Sequence, residues 1–542
     1  MGGVIWLEGM DFAAHLFDTN DLSTRRGASL AYLHAADWAE KWLKSKEFKP
    51  DPIVRGASIG AWQIAVNDPK DVAKDLLEEL RKTGENAQKV WDEAKKAYEN
   101  CNDGRDCKWP FPPPFAHLSF VCGWAEGTNE EALNLARARA RARQFRRFTL
   151  RPAGQKGSQF CPVDRTRPAL TQGFLPGDKD APVSPSVLAR RAYGRYARQG
   201  FYAGEAGPEW GRKFFTNTFE ELVKDAPEEL ALSAKSKIAV FYADGNGFTG
   251  LAGNTIEGRQ KFSEKLRELQ RELLRGILKA YDKCAKDKGW PYFLLDNEEE
   301  IRLRLETLLW GGDELMFVMP SWLGLWFARL FFDVVKDWKA PGGEPLTFGA
   351  GLLICNYKTP IRVAQKIAKE ELAEQAKEWG KKQDNGPRNG LSIYVMESVE
   401  PLEQGLAEMR KKMLKLDEKL EDALVIPGEE IATVLNRADT LKAGFPRSQL
   451  YRILHKARGE GWFNEEDMGH TRDALENWLA KAGKDSGLNN TDFMLLDNEV
   501  CELGKRLPLN LYWLAELWDY LPPEAIRDCA LATGEGDNNA AA

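Results

Sequence analysis

The stretch LLWGGDELMFVMP, residues 308 to 320, carries Asp313 and Glu314 side by side directly after Gly311-Gly312. Both flanks are apolar enough to demand burial, so the pair belongs at the tip of a hairpin between two buried strands. Two adjacent like charges are unfavourable unless a cation or an equivalent partner sits between them. A third acid, Asp244, ends the apolar run IAVFYADGNGF. The loop after it, Gly245-Asn246-Gly247-Phe248, has the glycines that let backbone N–H groups turn outward as an anion cradle. Three converging carboxylates suit Mg²⁺ or Mn²⁺, which keep water and bind substrate phosphates. Two such ions would activate an attacking 3′-hydroxyl and neutralise a leaving pyrophosphate, and the chemistry implied is nucleotidyl transfer.

The elements that must position these acids lie in a unit spanning 236–400. The pattern predicts a strand KIAVFYADGNGF, a helix over 256–285, strands over 301–310 and 314–319, and a helix over 321–338. A strand LTFGAGLLICNY, a helix over 360–382 and a strand LSIYVME follow. This β-α-β-β-α-β order with an appended helix and strand is the ferredoxin-like layout of polymerase palm domains. In that layout the first strand and the hairpin are neighbours, which brings Asp244 to the Asp313/Glu314 tip. A first unit over 1–155 has strands in GVIWLEGM, PIVRGASIGAWQIAV and AHLSFVCGWA, a long amphipathic helix over 68–100 and a helix from Thr128 or Asn129. A Gly/Pro-rich, basic connector fills 156–235, and 401–542 reads as helical with a frayed tail. The expected fold class is α+β: two ferredoxin-like palms, a connector and a C-terminal helical bundle.

Length and composition agree with a multidomain globular protein: 542 residues, 43% hydrophobic, 29% charged, net charge −6. That charge argues against a uniformly basic nucleic-acid coat and says nothing about a local basic groove. Eight scattered cysteines without a Cys-x-x-Cys pair suggest a reducing compartment. The N-terminus lacks a basic n-region, and the apolar run 317–335 is interrupted by Pro320, Arg329 and Asp333. It reads as a buried strand and helix rather than a membrane span, and the expected location is cytoplasmic.

With these motifs on the page, the 236–400 unit resembles the nucleotidyl-cyclase palm of the large subunit of type III CRISPR effector complexes, with GGDEF-type cyclases as more distant relatives. DTNDLSTRRGASLAYLHAADWAEKWL followed by VRGASIGAWQIAV is similar to the degenerate first palm of those subunits. CPVDRTRPA and VSPSVLARRAYGRYARQGFY resemble the connector between their palms. The resemblance implies Asp244, Asp313 and Glu314 as catalytic metal ligands for two Mg²⁺ or Mn²⁺ ions. It implies nucleotide binding by Gly245, Asn246, Gly247, Phe248, Gly311, Gly312 and Lys377, the last matching the family's Ala-Lys pair. The implied reaction is ATP to cyclic oligoadenylate in antiviral defence, with other effector subunits, guide RNA and target RNA as partners. The tip is Gly-Gly-Asp-Glu where the family usually has Gly-Gly-Asp-Asp. The five histidines (15, 34, 117, 455, 470) are never followed by Asp, so no His-Asp nuclease domain is expected. Only Cys161 lies in the connector, with Cys101 and Cys107 earlier, which leaves the family's zinc finger doubtful. The alternative functions are an RNA-holding scaffold with a silent palm and a stand-alone nucleotide cyclase.

Three further stretches carry possible chemistry. ARARARARQFRRFTLR (136–151) spreads arginine around a helix and could meet RNA phosphates. RRAYGRYARQGFY could stack on bases or pack between domains. LNLYWLAELWDYLPPE (509–524) has the spacing of a core or contact helix.

Overall fold

The structure is a computed structural model. It describes residues 2–102, 112–146, 159–175, 179–284, 292–294, 301–383, 386–397, 405–414, 424–460 and 507–523, with Asp473 and Asn477. The architecture is α+β, with helices packed on several sheets.

In the first sheet, β1 (Gly3–Met10) is central, between β3 (Ile59–Ile64) and β4 (Ser119–Glu126), and β2 (Asp51–Arg55) lies at the edge beyond β3. All neighbours are antiparallel. The long helix α1 (Leu22–Ser45) joins β1 to β2; Asp21 caps it by accepting from the Thr24 N–H at 2.9 Å. PIVRGASIGAWQIAV is thus a hairpin and not one strand: Gly56-Ala57-Ser58 turn the chain between β2 and β3. The helix expected over 68–100 is two helices, α2 (Pro69–Lys82) and α3 (Ala87–Asn102), because Gly84 takes φ +74 between them. Helix α4 (Glu130–Arg146) follows β4.

The connector is built into the core. After a hairpin, β5 (Thr171–Leu175) and β6 (Lys179–Val183), helix α5 (Pro185–Tyr196) crosses α1 in backbone contact. A Cβ on Gly27 would lie 1.7 Å from the Arg190 carbonyl oxygen, and one on Gly194 would lie 1.9 Å from that of Ser23. Around the crossing the basic motifs are consumed internally. Arg190 and Arg167 both pair with Asp18, and Arg167 also pairs with Asp164 at 2.9 Å. Arg26 is 1% exposed and makes a two-pronged salt bridge to Glu306, also joined by Arg198 of α6 (Arg198–Glu205). RRAYGRYARQGFY therefore packs between units.

The second sheet has the same connection order. Strand β7 (Lys237–Gly245) is followed by α7 (Ile256–Cys284), β8 (Glu306–Leu309), β9 (Glu314–Pro320), α8 (Ser321–Val335) and β10 (Phe348–Asn356). The order across the sheet is β8-β9-β7-β10, all antiparallel, extended by parallel β11 (Gly390–Val395) and by β12 (Val425–Pro427). The strand expected over 301–310 is two pieces, since Ile301–Leu303 joins a separate small sheet. The run 317–335 is a buried strand and helix, and among the described residues no helix is long and apolar enough to cross a membrane. Of the tail, Tyr512, Trp513, Leu514, Leu517 and Trp518 are buried core. Cys161 is buried and free; the side chain of Cys101 and all of Cys107, like His470, lie outside the described residues. Cys284 is disulfide-bonded, which the scattered spacing did not foretell.

Candidate active site

Strand periodicity decides which residues share the site. Along β7, Phe241 packs edge-on or tilted against Phe327 and Phe331 of α8, at 5.3 and 4.9 Å between ring centres. The alternating residues Val240, Tyr242 and Asp244 therefore face the other side. Register pairs Asp244 with Glu314 and Tyr242 with Met316 on one flank, and Asp244 with Gly349 on the other. Asp313 immediately precedes β9, and its carbonyl accepts the Gly245 N–H at 2.9 Å. The three predicted acids thus gather at one end of the sheet.

A long helix covers this face. It runs from Ile361 to Lys381 and is α-helical except for a π-helical segment, Ile367–Ala373. Lys369 donates to Glu314 Oε1 at 2.6 Å, and Lys377 donates to Asp244. Positions eight apart in a helix of about 3.6 residues per turn are rotated off one line. The wider π turn between them removes that offset, so both ammonium groups reach the acidic edge. The sheet admits the helix only because its strand is glycine there. A Cβ on Gly349 would lie 2.5 Å from the Lys377 nitrogen, and one on Gly351 would lie 2.3 Å from the Ala368 carbonyl oxygen.

The glycine loops divide their tasks. Gly247 (φ +68), Gly311 (φ +116) and Gly312 (φ +68) take left-handed conformations that other residues avoid. Gly311 packs on Ala57, so the two hairpin tips touch, and the Gly312 carbonyl accepts from Gln270 of α7 at 2.8 Å. The expected cradle is smaller than the sequence implied. The Gly245 N–H is spent on Asp313, and the Asn246 N–H is spent on the Thr347 carbonyl at 2.8 Å. Asn246 is buried and donates to Thr347 Oγ1 at 3.0 Å, so it holds the loop. Phe248 is buried over Gly245, packed on Phe262 and Phe348. The loop's remaining N–H groups are those of Gly247 and Phe248.

Electrostatics show how crowded the acids are. Burial raises the Asp244 carboxyl above its ordinary range, opposed by Lys377 and reinforced by Glu314. Asp313 is raised as well, by burial first and then by Asp244. Burial opposes the charge on Lys377, yet Asp244 more than offsets it and the ammonium is held above its usual range. The donor set fits a hard divalent cation: all oxygens, on adjoining backbone positions, with excess negative charge for a cation to relieve. As placed, two of the acids hold lysines, and among the described residues no three acidic, His or Cys side chains converge as a ligand cluster.

The tip opens on a cleft of about 410 Å³ between the two sheets, reached by Asp313, Glu314 and Lys369. Its walls include Trp6, Phe12, Tyr32, Phe248 and Trp310. Sequence reasoning missed Lys369, Gly349 and the cleft. The one available signal was the paired glycines inside LTFGAGLLICNY, which in a strand mark close approach of another backbone.

No protein-family model and no curated protein matches the chain. The fold defines an α+β class with two sheets of like connection. Among solved structures, the chain is similar in fold to Csm1 in T. onnurineus, with a TM-score of 0.51 at 14% identity, covering 95% of this chain and 69% of that one. Two lower-scoring matches are the type III-B Cmr-beta complex in its apo state and a Csm1-Csm4 cassette in complex with cA3. The first has a TM-score of 0.49 at 9% identity over 96% of this chain and 82% of that one. The second has a TM-score of 0.43 at 14% identity over 95% and 69%.

Proposed function

We propose that this chain is the large subunit of a type III CRISPR effector complex and a Mg²⁺- or Mn²⁺-dependent nucleotidyl cyclase that converts ATP to cyclic oligoadenylate. The observation that carries the reading is the register of Asp244 opposite Glu314 with Asp313 adjoining, at the mouth of a cleft walled by aromatic residues. The motif resemblance and the likeness of fold to Csm1 support it; the setting among other effector subunits, guide RNA and target RNA follows from the motif resemblance alone.

Asp244, Asp313 and Glu314 would hold two cations, which supply activation of the 3′-hydroxyl and neutralisation of the leaving pyrophosphate. Lys377 and Lys369 wait on the carboxylates and move to phosphate oxygens once the acids are otherwise neutralised. The N–H groups of Gly247 and Phe248 receive phosphate at the loop. The apolar cleft wall takes the base and excludes water from the reacting atoms.

The test is incubation of the purified protein with each of the four nucleoside triphosphates and Mg²⁺ or Mn²⁺, alone and with partner subunits and target RNA, with products read by mass spectrometry. Cyclic adenylates that vanish in Asp313→Ala/Glu314→Ala support the reading. No product under any of these conditions would sink it, leaving a fold that holds RNA and neighbours without turnover.

A further inference from the structure

Across the cleft from the acidic tip, three arginines from two separate elements come together. Arg137 and Arg141 stand one turn apart on α4, and Arg259 lies in the first turn of α7; all three line the cleft. They are close enough to repel: burial lowers the Arg137 guanidinium first, and Arg141 and Arg259 lower it further. Among the described residues, the acid whose charge acts on Arg137 is Glu8, which already accepts from Trp6 Nε1 at 3.0 Å. None of the three arginines has an ion pair among the described residues. The Nε atoms of Arg137 and Arg259 are buried without a hydrogen-bond partner.

Neighbouring arginines are treated differently. In the same cleft, Arg55 pairs with Glu40 at 2.7 Å and Arg267 with Asp37 at 2.8 Å. On the same helix, Arg139 donates to the Trp124 carbonyl at 2.9 Å and Arg143 to that of Cys122 at 2.7 Å. Those side chains are absorbed by the fold. Arg137 lies over the Trp6 ring at 5.5 Å, and among the described residues no hydrogen bond takes up its donors. Three like charges lining one cleft without an ion pair among the described residues leave unspent the charge and forked donors that a phosphate chain takes up.

We infer that Arg137, Arg141 and Arg259 form a phosphate-binding site where α4 of the first unit meets the start of α7 of the second, whose ligand is the phosphate chain of a nucleotide. The identity of the ligand rests on the nucleotide reading above; the anion chemistry rests on the arginines alone. The site needs no metal, which separates it from the acidic tip.

The experiment is isothermal titration of the full chain in EDTA with ATP, inorganic triphosphate and adenosine. ATP and triphosphate should bind, adenosine far more weakly, and affinity should fall as salt rises. Arg137→Met/Arg259→Met should weaken ATP by at least about tenfold per guanidinium removed, at an unchanged melting temperature. Arg137→Lys/Arg259→Lys, which keeps the charge and loses the fork, should fall between. Asp313→Asn/Glu314→Gln should bind in EDTA as well as the wild type or better. The inference is overturned if the wild type binds neither ATP nor triphosphate in EDTA, or if the Met variant binds both undiminished. It is overturned equally if a single-stranded oligonucleotide binds there and triphosphate does not displace it. Because no turnover is measured, a failed cyclase assay leaves this result independent.

Discussion

Gly349→Ala is a methyl group aimed at the backbone that carries Lys377. The added carbon would lie 2.5 Å from the Lys377 nitrogen and 2.6 Å from both its Cα and its Cβ. Carbon contacts settle at about 3.5–4.0 Å, so the helix must retreat by roughly 1 Å. Backbone cannot rotate out of the way as the end of a side chain can. The cost of such overpacking is about 1–3 kcal/mol, readable as a lower urea midpoint with an unchanged slope. The same retreat lifts Lys377 off Asp244, which on the proposed reading weakens nucleotide binding at the tip. Stability comes from urea titration followed by circular dichroism, and nucleotide binding with Mn²⁺ is measured on the same preparations. Gly204→Ala is the control, because nothing lies within 4 Å of its added carbon. A Gly349→Ala protein with wild-type midpoint and wild-type binding would refute the claim that this glycine seats the helix.

Glu306→Leu strands a 1%-exposed Arg26, whose remaining acceptor is the Gly194 carbonyl at 3.0 Å, and should cost about 3–5 kcal/mol. Arg26→Met/Glu306→Leu should recover most of that, since Arg198 keeps the Phe215 and Thr216 carbonyls; a double variant as unstable as the sum of the singles would contradict this. Burial lowers His34 to about 4 and His117 to about 4, and burial with Arg190 and Arg167 lowers His15 to about 3. The unfolded chain therefore takes up protons first, and stability that is complete above about pH 6.5 is lost as pH falls toward 4. Each histidine should remove on the order of 1 kcal/mol between pH 7 and 5, and His34→Gln should flatten the slope; a flat wild-type profile would contradict the sign.

The acidic tip was legible because its signal is local: two carboxylates between apolar strands mark a hairpin tip that needs a positive partner, which for Glu314 is Lys369. The pairing of Asp244 with Glu314 followed from element order, which strand periodicity and turn residues largely dictate. What the sequence hid lay in long-range contacts. Lys369 is one of many lysines on its helix, and only a π turn brings it to the tip. The break at Gly84 was overlooked because the apolar spacing on both sides suits one helix. The arginine run divided between the sheet and the cleft, a split set by which face Gly123 admits: a Cβ there would lie 1.9 Å from the Ala136 carbonyl oxygen. The connector read as linker because Gly and Pro are frequent there. Its arginines are buried by acids more than a hundred residues away, as with Arg190 and Asp18, |i−j| = 172.

Two sheets of like connection meet tip to tip at Gly311 and Ala57, and only one tip bears acids. A pair of identical subunits meeting this way would present two equivalent tips to whatever lay between them. Here the exchange of roles is forbidden by composition: one tip is Gly-Gly-Asp-Glu and the other Gly-Ala-Ser. The cleft therefore has a direction, with an acidic end and an arginine end. On the nucleotide reading proposed above, a chain molecule lying across it would have one way round.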